Sequence, residues 1–286
     1  MLYKQINFIN EETAKYHIRN FIEEDSPNGD VTGDSIFDGS ELSKAQVYCK
    51  SDTVLAGVGL IKLFFEEDTS VNEIFKDGDK LNVGSVIAEI NGKTSTILKM
   101  ERLFLNLLQR MCGIAYNTSK MVEIAKPFNV EVLDTRKTTP GLRMFEKYSV
   151  FAGGGTNHRY DLSSGILIKD NHIAASGGIS NALKKVKSKV SGLPIEIEID
   201  TFSQLEEALS EGVDALLLDN FSPDDTKKAV SLIRSSPNGE KIYVESSGGI
   251  DLSNINSYVV TGINAVSSGA ITHSVSSADI SLDFKY

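Results

Sequence analysis

The sequence predicts an α/β protein, with a mixed α/β domain over residues 1–115 and an incomplete β/α barrel over residues 116–272. Three observations carry this. From Val130 onward, short apolar, β-branched runs alternate with amphipathic stretches, the rhythm of a parallel sheet with right-handed crossovers. Runs such as Leu216-Leu217-Leu218 are apolar on both faces, as in a doubly covered strand. Almost every predicted strand then ends in polar, chemically capable residues, the habit of a barrel whose site is built at the carboxyl ends of its strands. Rhythm alone also allows an open α/β sheet; the strand ends favour the barrel. Six clear strands fall short of eight, and 149–155 could hold another, which points to a closed but reduced barrel.

Taken in order, Asn10 can cap a first helix whose apolar residues Ala14, Ile18, Phe21 and Ile22 have helical spacing. Strand-like text covers 45–56 and 80–90, with a short helix at 60–67 and a turn at Asp77-Gly78-Asp79. The longest helical pattern runs over 94–126. Ile97, Met100, Phe104, Leu107, Leu108, Met111, Ile114 and Ala115 form one face, and Pro127 stops it. Predicted strands follow at 130–133, 165–168, 195–199, 215–218, 242–244 and 265–266. Helices are predicted between them at 180–190, 203–212, 224–235 and 252–261, the second opened by a Ser203/Glu206 capping box.

Composition narrows the function. Apolar residues are 41% and charged residues 24%, which excludes a disordered or fibrous chain. The net charge of −10 argues against general nucleic-acid or anionic-membrane binding. Cys49 and Cys112 form neither a C-x-x-C motif nor a disulfide framework, so a reducing cytoplasm is expected. No signal peptide is expected at the start, and no run approaches the ~18 apolar residues of a membrane span.

Four constellations bear on chemistry. Between Asp134 and His172 lies a basic island: Arg136, Lys137, Arg143, Lys147, Arg159 and Lys169, with His158 and His172. Solvated loop charge is the simpler account, but several of these residues sit at strand ends. Converging Arg forks and Lys point charges suit a multiply anionic small molecule. Two glycine turns, Ser246-Ser247-Gly248-Gly249 and Ser267-Ser268-Gly269-Ala270, follow successive strands and can offer backbone N–H groups to a phosphate. Glu198 and Asp219 are strand-end acids; capping or ion pairing would explain either, while Mg²⁺ or sugar-hydroxyl ligation would explain both. Gly153-Gly154-Gly155 fits either close approach to a ligand or a flexible linker. Together these suggest a phosphorylated substrate, a divalent cation and a second anion. From the residues alone, the reaction stays open.

The stretch Thr135-Arg136-Lys137-Thr138-Thr139-Pro140-Gly141-Leu142-Arg143 is followed by Glu146-Lys147-Tyr148, Gly153-Gly154-Gly155, Asn157-His158-Arg159 and Leu167-Ile168-Lys169-Asp170-Asn171-His172. This resembles the quinolinate phosphoribosyltransferase family. Further agreement comes from Gly29-Asp30-Val31-Thr32, Glu101-Arg102, Gln109-Arg110, Glu196-Ile197-Glu198, Leu218-Asp219-Asn220, Ser247-Gly248-Gly249-Ile250 and Thr272-His273-Ser274. The resemblance implies a mixed α/β N-terminal sandwich domain, joined by the tail 273–286, and a barrel of fewer than eight strands. It implies a homodimer, or a multiple of dimers, with shared active sites. Arg136, Lys137, His158, Arg159 and Lys169 would hold quinolinate, with Arg102 donated by the neighbouring subunit. Glu198 and Asp219 would face the ribose and Mg²⁺, and Ser247, Gly248, Gly249, Ser268 and Gly269 the 5′-phosphate. Lys169, Glu198 and Asp219 would be the catalytic set. Cys112, Ser164 and Ser246 depart from the expected Ser, Asp and Ala, and Ser164 removes a charge expected near Lys169.

The implied reaction joins quinolinate to 5-phosphoribosyl-1-pyrophosphate and releases nicotinate mononucleotide, CO₂ and pyrophosphate, a step of NAD biosynthesis. Competing readings are a paralogue acting on another pyridine or carboxylic acid, a nicotinate phosphoribosyltransferase, and a Schiff-base aldolase using Lys169 as nucleophile.

Overall fold

A computed structural model describes residues 2–66 and 68–285; Met1, Glu67 and Tyr286 lie outside the described residues. The chain divides into two compact units, and each draws on separated parts of the sequence.

One unit comprises Ile6–Ser119, Thr139–Gly154 and Ser274–Tyr286. Helix α1 (Glu11–Asp25) starts where Asn10 accepts a hydrogen bond from the Thr13 N–H at 2.9 Å, and it buries Ala14 and Ile18. Asp30 caps α2 (Val31–Ile36), which the sequence analysis did not predict, through the N–H groups of Thr32 and Gly33. The text at 45–56 divides into β1 (Leu42–Cys49) and β2 (Thr53–Val54). A 3-10 helix, Val58–Phe64, stands for the predicted helix at 60–67, whose last residue is outside the described set. Then come β3 (Ser70–Glu73), β4 (Lys80–Leu81) and β5 (Val86–Lys93). The C-terminal strand Ile280–Lys285, β1, β5 and β3 pair antiparallel in that order. Alternating burial along β1 shows one face on the core.

Helix α3 (Thr94–Ala125) follows the predicted stripe, with Ile97, Phe104, Leu108, Met111 and Ile114 all buried. It gives way to a 3-10 turn at Pro127, as a residue lacking N–H requires. The predicted strand at 149–155 is instead the end of α4 (Arg143–Ala152), which buries Met144, Phe145, Lys147 and Val150 at helical spacing. Gly153 packs on α3, where a Cβ would overlap the Ala115 carbonyl, so the glycine run serves packing.

The second unit comprises Met1–Gln5, Lys120–Thr138 and Gly155–His273. The expected junction at 115/116 therefore falls at 119/120, and two further segments change allegiance. Its strands are β6 (Glu131–Leu133), β7 (Ile166–Ile168), β8 (Ile195–Ile199), β9 (Ala215–Asp219), β10 (Tyr243–Ser247) and β11 (Ala265–Ser267). All pair parallel, in the order β6-β11-β10-β9-β8-β7. Among the described residues no ladder joins β6 to β7; the outer edge of β6 instead forms a single parallel bridge, Leu133 with Thr156, next to the segment expected to hold a further strand. The intervening helices are α5 (Asp170–Ser176), α6 (Ile179–Lys189), α7 (Phe202–Glu211), α8 (Pro223–Ser235), α9 (Ile255–Val259) and α10 (Ala270–His273). The capping box of α7 is Thr201 with Gln204, two residues before the predicted pair, because the helix itself begins earlier.

Strand periodicity positions the site. Side chains two residues apart share a face. Leu167 and Lys169, Leu217 and Asp219, and Glu245 and Ser247 all reach one cavity, as do Glu198 and Ser267. β8 is buried along its whole length, so its Ile-Glu-Ile-Glu-Ile text sends isoleucines to one face and Glu196 and Glu198 to the other.

Candidate active site

The cavity at the carboxyl ends of the barrel strands has a volume of about 330 Å³. Of the predicted residues, Arg136, Lys137, His158, Arg159, Lys169, Glu198, Asp219 and Ser247 line it. Cations occupy one part of the wall. Arg159 is buried, and burial followed by the neighbouring Arg136 charge pushes its guanidinium below its ordinary value. The buried Arg136 Nε has no hydrogen-bond partner among the described residues, a donor left for a ligand. Lys137 is set by its N–H on Thr135 Oγ1 at 3.0 Å and by its carbonyl, which accepts from Thr272 Oγ1 at 2.9 Å.

Acids line the same cavity. Lys169 Nζ donates to Glu198 Oε2 at 2.6 Å. Oxygens of Glu198, Asp200 and Asp219 lie within 4.8 Å of one another. Burial raises the Glu198 carboxyl above its ordinary value, Lys169 opposes this, and Asp219 and Asp200 add to it. Burial raises Asp219 too, followed by the Asp200 charge. Three crowded carboxylate oxygens with mutually unfavourable charge fit a hard divalent cation. Sequence reasoning missed Asp200 as a partner of the other two, although it lies two residues beyond Glu198.

The glycine turns adjoin these acids. Gly248 has φ +99°, and a Cβ there would overlap Asn220 Oδ1. Asn220 in turn donates to Asp219 Oδ2 at 2.7 Å, so a side chain at 248 would disturb the acid rim. Gly249 also has positive φ. Ser268 is buried, and its hydroxyl donates to the Ile250 carbonyl at 2.6 Å; it ties the two turns together. Gly269 leaves room for the Lys137 stem, 2.9 Å from where a Cβ would be.

Deeper in the barrel lie two acids that the sequence analysis did not single out, Glu196 and Glu245, both fully buried. Burial, and then the Glu196 charge, push the Glu245 carboxyl up to about 8, against a smaller opposing effect of His158. Neither Glu245 oxygen has a hydrogen-bond partner among the described residues. Their signal was the period-two relation to Glu198 and Ser247.

His158 lines the cavity, but its nitrogens are engaged inside the protein. Nδ1 accepts the Arg159 N–H at 2.8 Å, and Nε2 lies 3.1 Å from Glu196 Oε2. His172 does not reach this cavity; it caps α5, with Nδ1 accepting the Lys169 N–H at 3.0 Å. Arg143 and Lys147 belong to α4 in the other unit. Arg102 also belongs there, on α3, with its side chain 73% exposed. Of the departures, Ser164 donates to Asp161 Oδ1 at 2.6 Å, Cys112 is buried against the Ala56 N–H, and the buried Ser246 hydroxyl is without a partner among the described residues.

Comparison with known proteins gives the family. The family pattern described as quinolinate phosphoribosyl transferase, N-terminal domain, matches residues 30–112, and its C-terminal-domain counterpart matches 114–283. A probable nicotinate-nucleotide pyrophosphorylase (carboxylating) of Bacillus subtilis (strain 168) is 44% identical over 279 residues, covering 96% of this chain and 94% of its own. A similarly described Archaeoglobus fulgidus protein is 40% identical, covering 90% and 98%. The solved nicotinate-nucleotide pyrophosphorylase of Francisella tularensis superposes with a TM-score of 0.92 at 33% identity, covering 99% of both chains. The chain belongs to the quinolinate phosphoribosyltransferase family.

Proposed function

We infer that the protein transfers the phosphoribosyl group of 5-phosphoribosyl-1-pyrophosphate to quinolinate, giving nicotinate mononucleotide, CO₂ and pyrophosphate. The observation that carries this is one cavity lined both by Arg136, Lys137, Arg159 and Lys169 and by the acids Glu198 and Asp219. Arg136, Lys137, Arg159 and Lys169 supply charge for the two carboxylates of quinolinate. His158 stands among them, with both nitrogens turned inward. Backbone N–H groups at Ser247, Gly248, Gly249 and Gly269 suit the 5′-phosphate; the expected Ser268 is spent inside the fold, its N–H donating to the Leu133 carbonyl at 3.0 Å and its hydroxyl to the Ile250 carbonyl.

Departure of pyrophosphate leaves C1 of the ribose oxocarbenium-like, and the carboxylates of Glu198 and Asp219 stabilise that developing positive charge. Glu198, Asp200 and Asp219 would also hold Mg²⁺, which supplies Lewis-acid neutralisation of the leaving pyrophosphate. Attack by the ring nitrogen makes a pyridinium. The C2–carboxylate bond then breaks, its electron pair stays on C2 stabilised by the adjacent positive ring nitrogen, and a proton takes that pair in place of CO₂. Lys169 acts as a charge: its ammonium is engaged by Glu198, an arrangement that favours ion pairing over a Schiff-base nucleophile. The active assembly is a homodimer or a multiple of dimers, with Arg102 completing the neighbour's quinolinate pocket. Two free, buried cysteines are consistent with a cytoplasmic location. Among the described residues no helix is long and apolar enough to cross a membrane. The test is one incubation with quinolinate, phosphoribosyl pyrophosphate and Mg²⁺: release of CO₂ together with nicotinate mononucleotide is expected, and its absence contradicts the reading.

A further inference from the structure

The first residues of the chain belong to the barrel unit. Their contacts converge on one loop, residues 155–165, which carries His158 and Arg159. The Tyr3 ring stacks on the His158 ring, with centroids 4.6 Å apart and planes 28° from parallel. The Tyr3 hydroxyl donates to Glu196 Oε2 at 2.6 Å, the same oxygen that faces His158 Nε2. Gln5 grips the neighbouring residue twice: its Oε1 accepts the Asn157 N–H at 2.7 Å, and its Nε2 donates to the Asn157 carbonyl at 3.2 Å. At the far end of the loop, Gly165 lies against Tyr3, where a Cβ would overlap the ring. The Gly165 carbonyl accepts from Arg159 Nη1 at 3.2 Å.

These contacts form a chain that ends in the cavity. Tyr3 and Glu196 fix the imidazole of His158. Through Nδ1, that imidazole fixes the N–H of Arg159. The Arg159 guanidinium then lines the cavity beside Arg136. A buried cation must be held by its own surroundings, since a small error in its placement weakens a bidentate contact.

We propose that residues 3–5 are a strap that positions the carboxylate-binding wall, with Tyr3 acting through Glu196 and His158 on Arg159, so that Tyr3 and His158 are positioning residues for the diacid substrate. This rests on the quinolinate reading of the cavity. It goes beyond it in extending the site to residues 3–5.

The test is a set of variants read on each substrate separately. Tyr3→Ala removes ring and hydroxyl; Tyr3→Phe keeps the stack and removes one buried hydrogen bond. Gly165→Ala displaces the ring; because the Gly165 carbonyl also accepts from Arg159, its effect counts only alongside that of the Tyr3 variants. The KM for quinolinate should rise about tenfold in Tyr3→Ala and Gly165→Ala and about threefold in Tyr3→Phe, while kcat and the KM for phosphoribosyl pyrophosphate stay within about twofold. Equal rises for both substrates, or an unchanged quinolinate KM in variants of lowered thermal stability, overturn the proposal and leave the strap a purely structural element. Should Tyr3→Ala fail to fold, Tyr3→Phe decides by the same split. A substrate-free reading is nitrogen NMR of labelled histidine. His158 should show a proton on Nε2 and none on Nδ1, with the Nε2 proton exchanging faster in Tyr3→Phe. A protonated Nδ1 in the wild type, or exchange unaffected by Tyr3→Phe, also overturns it. If the wild type turns over no quinolinate, the functional reading falls, and the NMR still decides the strap.

Discussion

Glu198 and Glu196 stand two residues apart on β8, share one face, and accept hydrogen bonds of the same length from different chemistry. At the rim, Lys169 Nζ is 2.6 Å from Glu198; one step deeper, the Tyr3 hydroxyl is 2.6 Å from Glu196. The rim acids have an ammonium, each other and partial access to water. The deep acids have a phenol, an imidazole and each other. The difference shows in Glu245, where burial and then the Glu196 charge raise the carboxyl above its ordinary value, and His158 and Ser267 only partly oppose them. Depth along a strand, more than residue type, sets the company each acid keeps.

Removing the cation is the most severe test of the rim. Excess EDTA should abolish CO₂ release almost completely, and Mg²⁺ or Mn²⁺ should restore it; full activity in EDTA would show that the rim acids work without a metal. Lys169→Ala leaves Glu198 facing Asp219 and Asp200 without its ammonium. Turnover should fall by about 100-fold or more, and borohydride should leave the wild type active. Substrate-dependent inactivation by borohydride would favour Schiff-base chemistry instead. Arg102 tests whether the cationic wall is complete within one chain. Arg102→Ala and Lys169→Ala chains should each be nearly inactive. Refolded together, they should recover up to about a quarter of wild-type activity, because a mixed dimer has one intact site. A mixture that forms heterodimers and stays inactive would confine Arg102 to its own chain.

The smallest expected effect concerns the deep acid. The Glu245 carboxyl lies near 4.5 in an unfolded chain and at about 8 in the folded one. Between those values the folded state binds the extra proton, so stability falls as pH rises and levels off above the upper value. Glu245→Gln keeps the neutral shape and should lose less stability between pH 5 and pH 8.5, by an amount on the order of a few kcal/mol. Urea midpoints at the two pH values measure this, and parallel pH profiles for variant and wild type would contradict a protonated Glu245.

The rim was largely legible in the sequence, and the deep layer was not. Lys169, Glu198 and Asp219 announce themselves because each polar residue interrupts or ends an apolar run. Glu245 also ends its run and Glu196 interrupts one as Glu198 does, and only their three-dimensional neighbours make them chemically distinct. The strand–helix rhythm of the barrel and the stripe of α3 were readable because local periodicity determines them. The strand expected at 149–155 failed because Tyr148-Ser149-Val150-Phe151 has strand-like composition, while burial at helical spacing decides its conformation. Arg143 and Lys147 looked like members of the basic island because sequence proximity hides that α4 packs in the other unit. His158 was rightly placed at the cavity, but the direction of its nitrogens depends on Tyr3 and Glu196, far away in sequence.

The interleaving of the two units bears on how the chain comes to be folded. The barrel unit contains residues 1–5 as well as residues up to 273, and the other unit needs its tail, whose strand pairs with β1 from Lys44 to Cys49. The bond from Tyr3 to Glu196 spans 193 positions. During synthesis the earliest residues must therefore wait for partners made much later, and β1 keeps one bare edge until the final strand emerges. The barrel unit has all its residues by His273, whereas the other unit must wait for the tail that follows. A chain that stopped short of Ile280 would be released with an unpaired sheet edge, the condition under which chains pair with one another instead of with themselves.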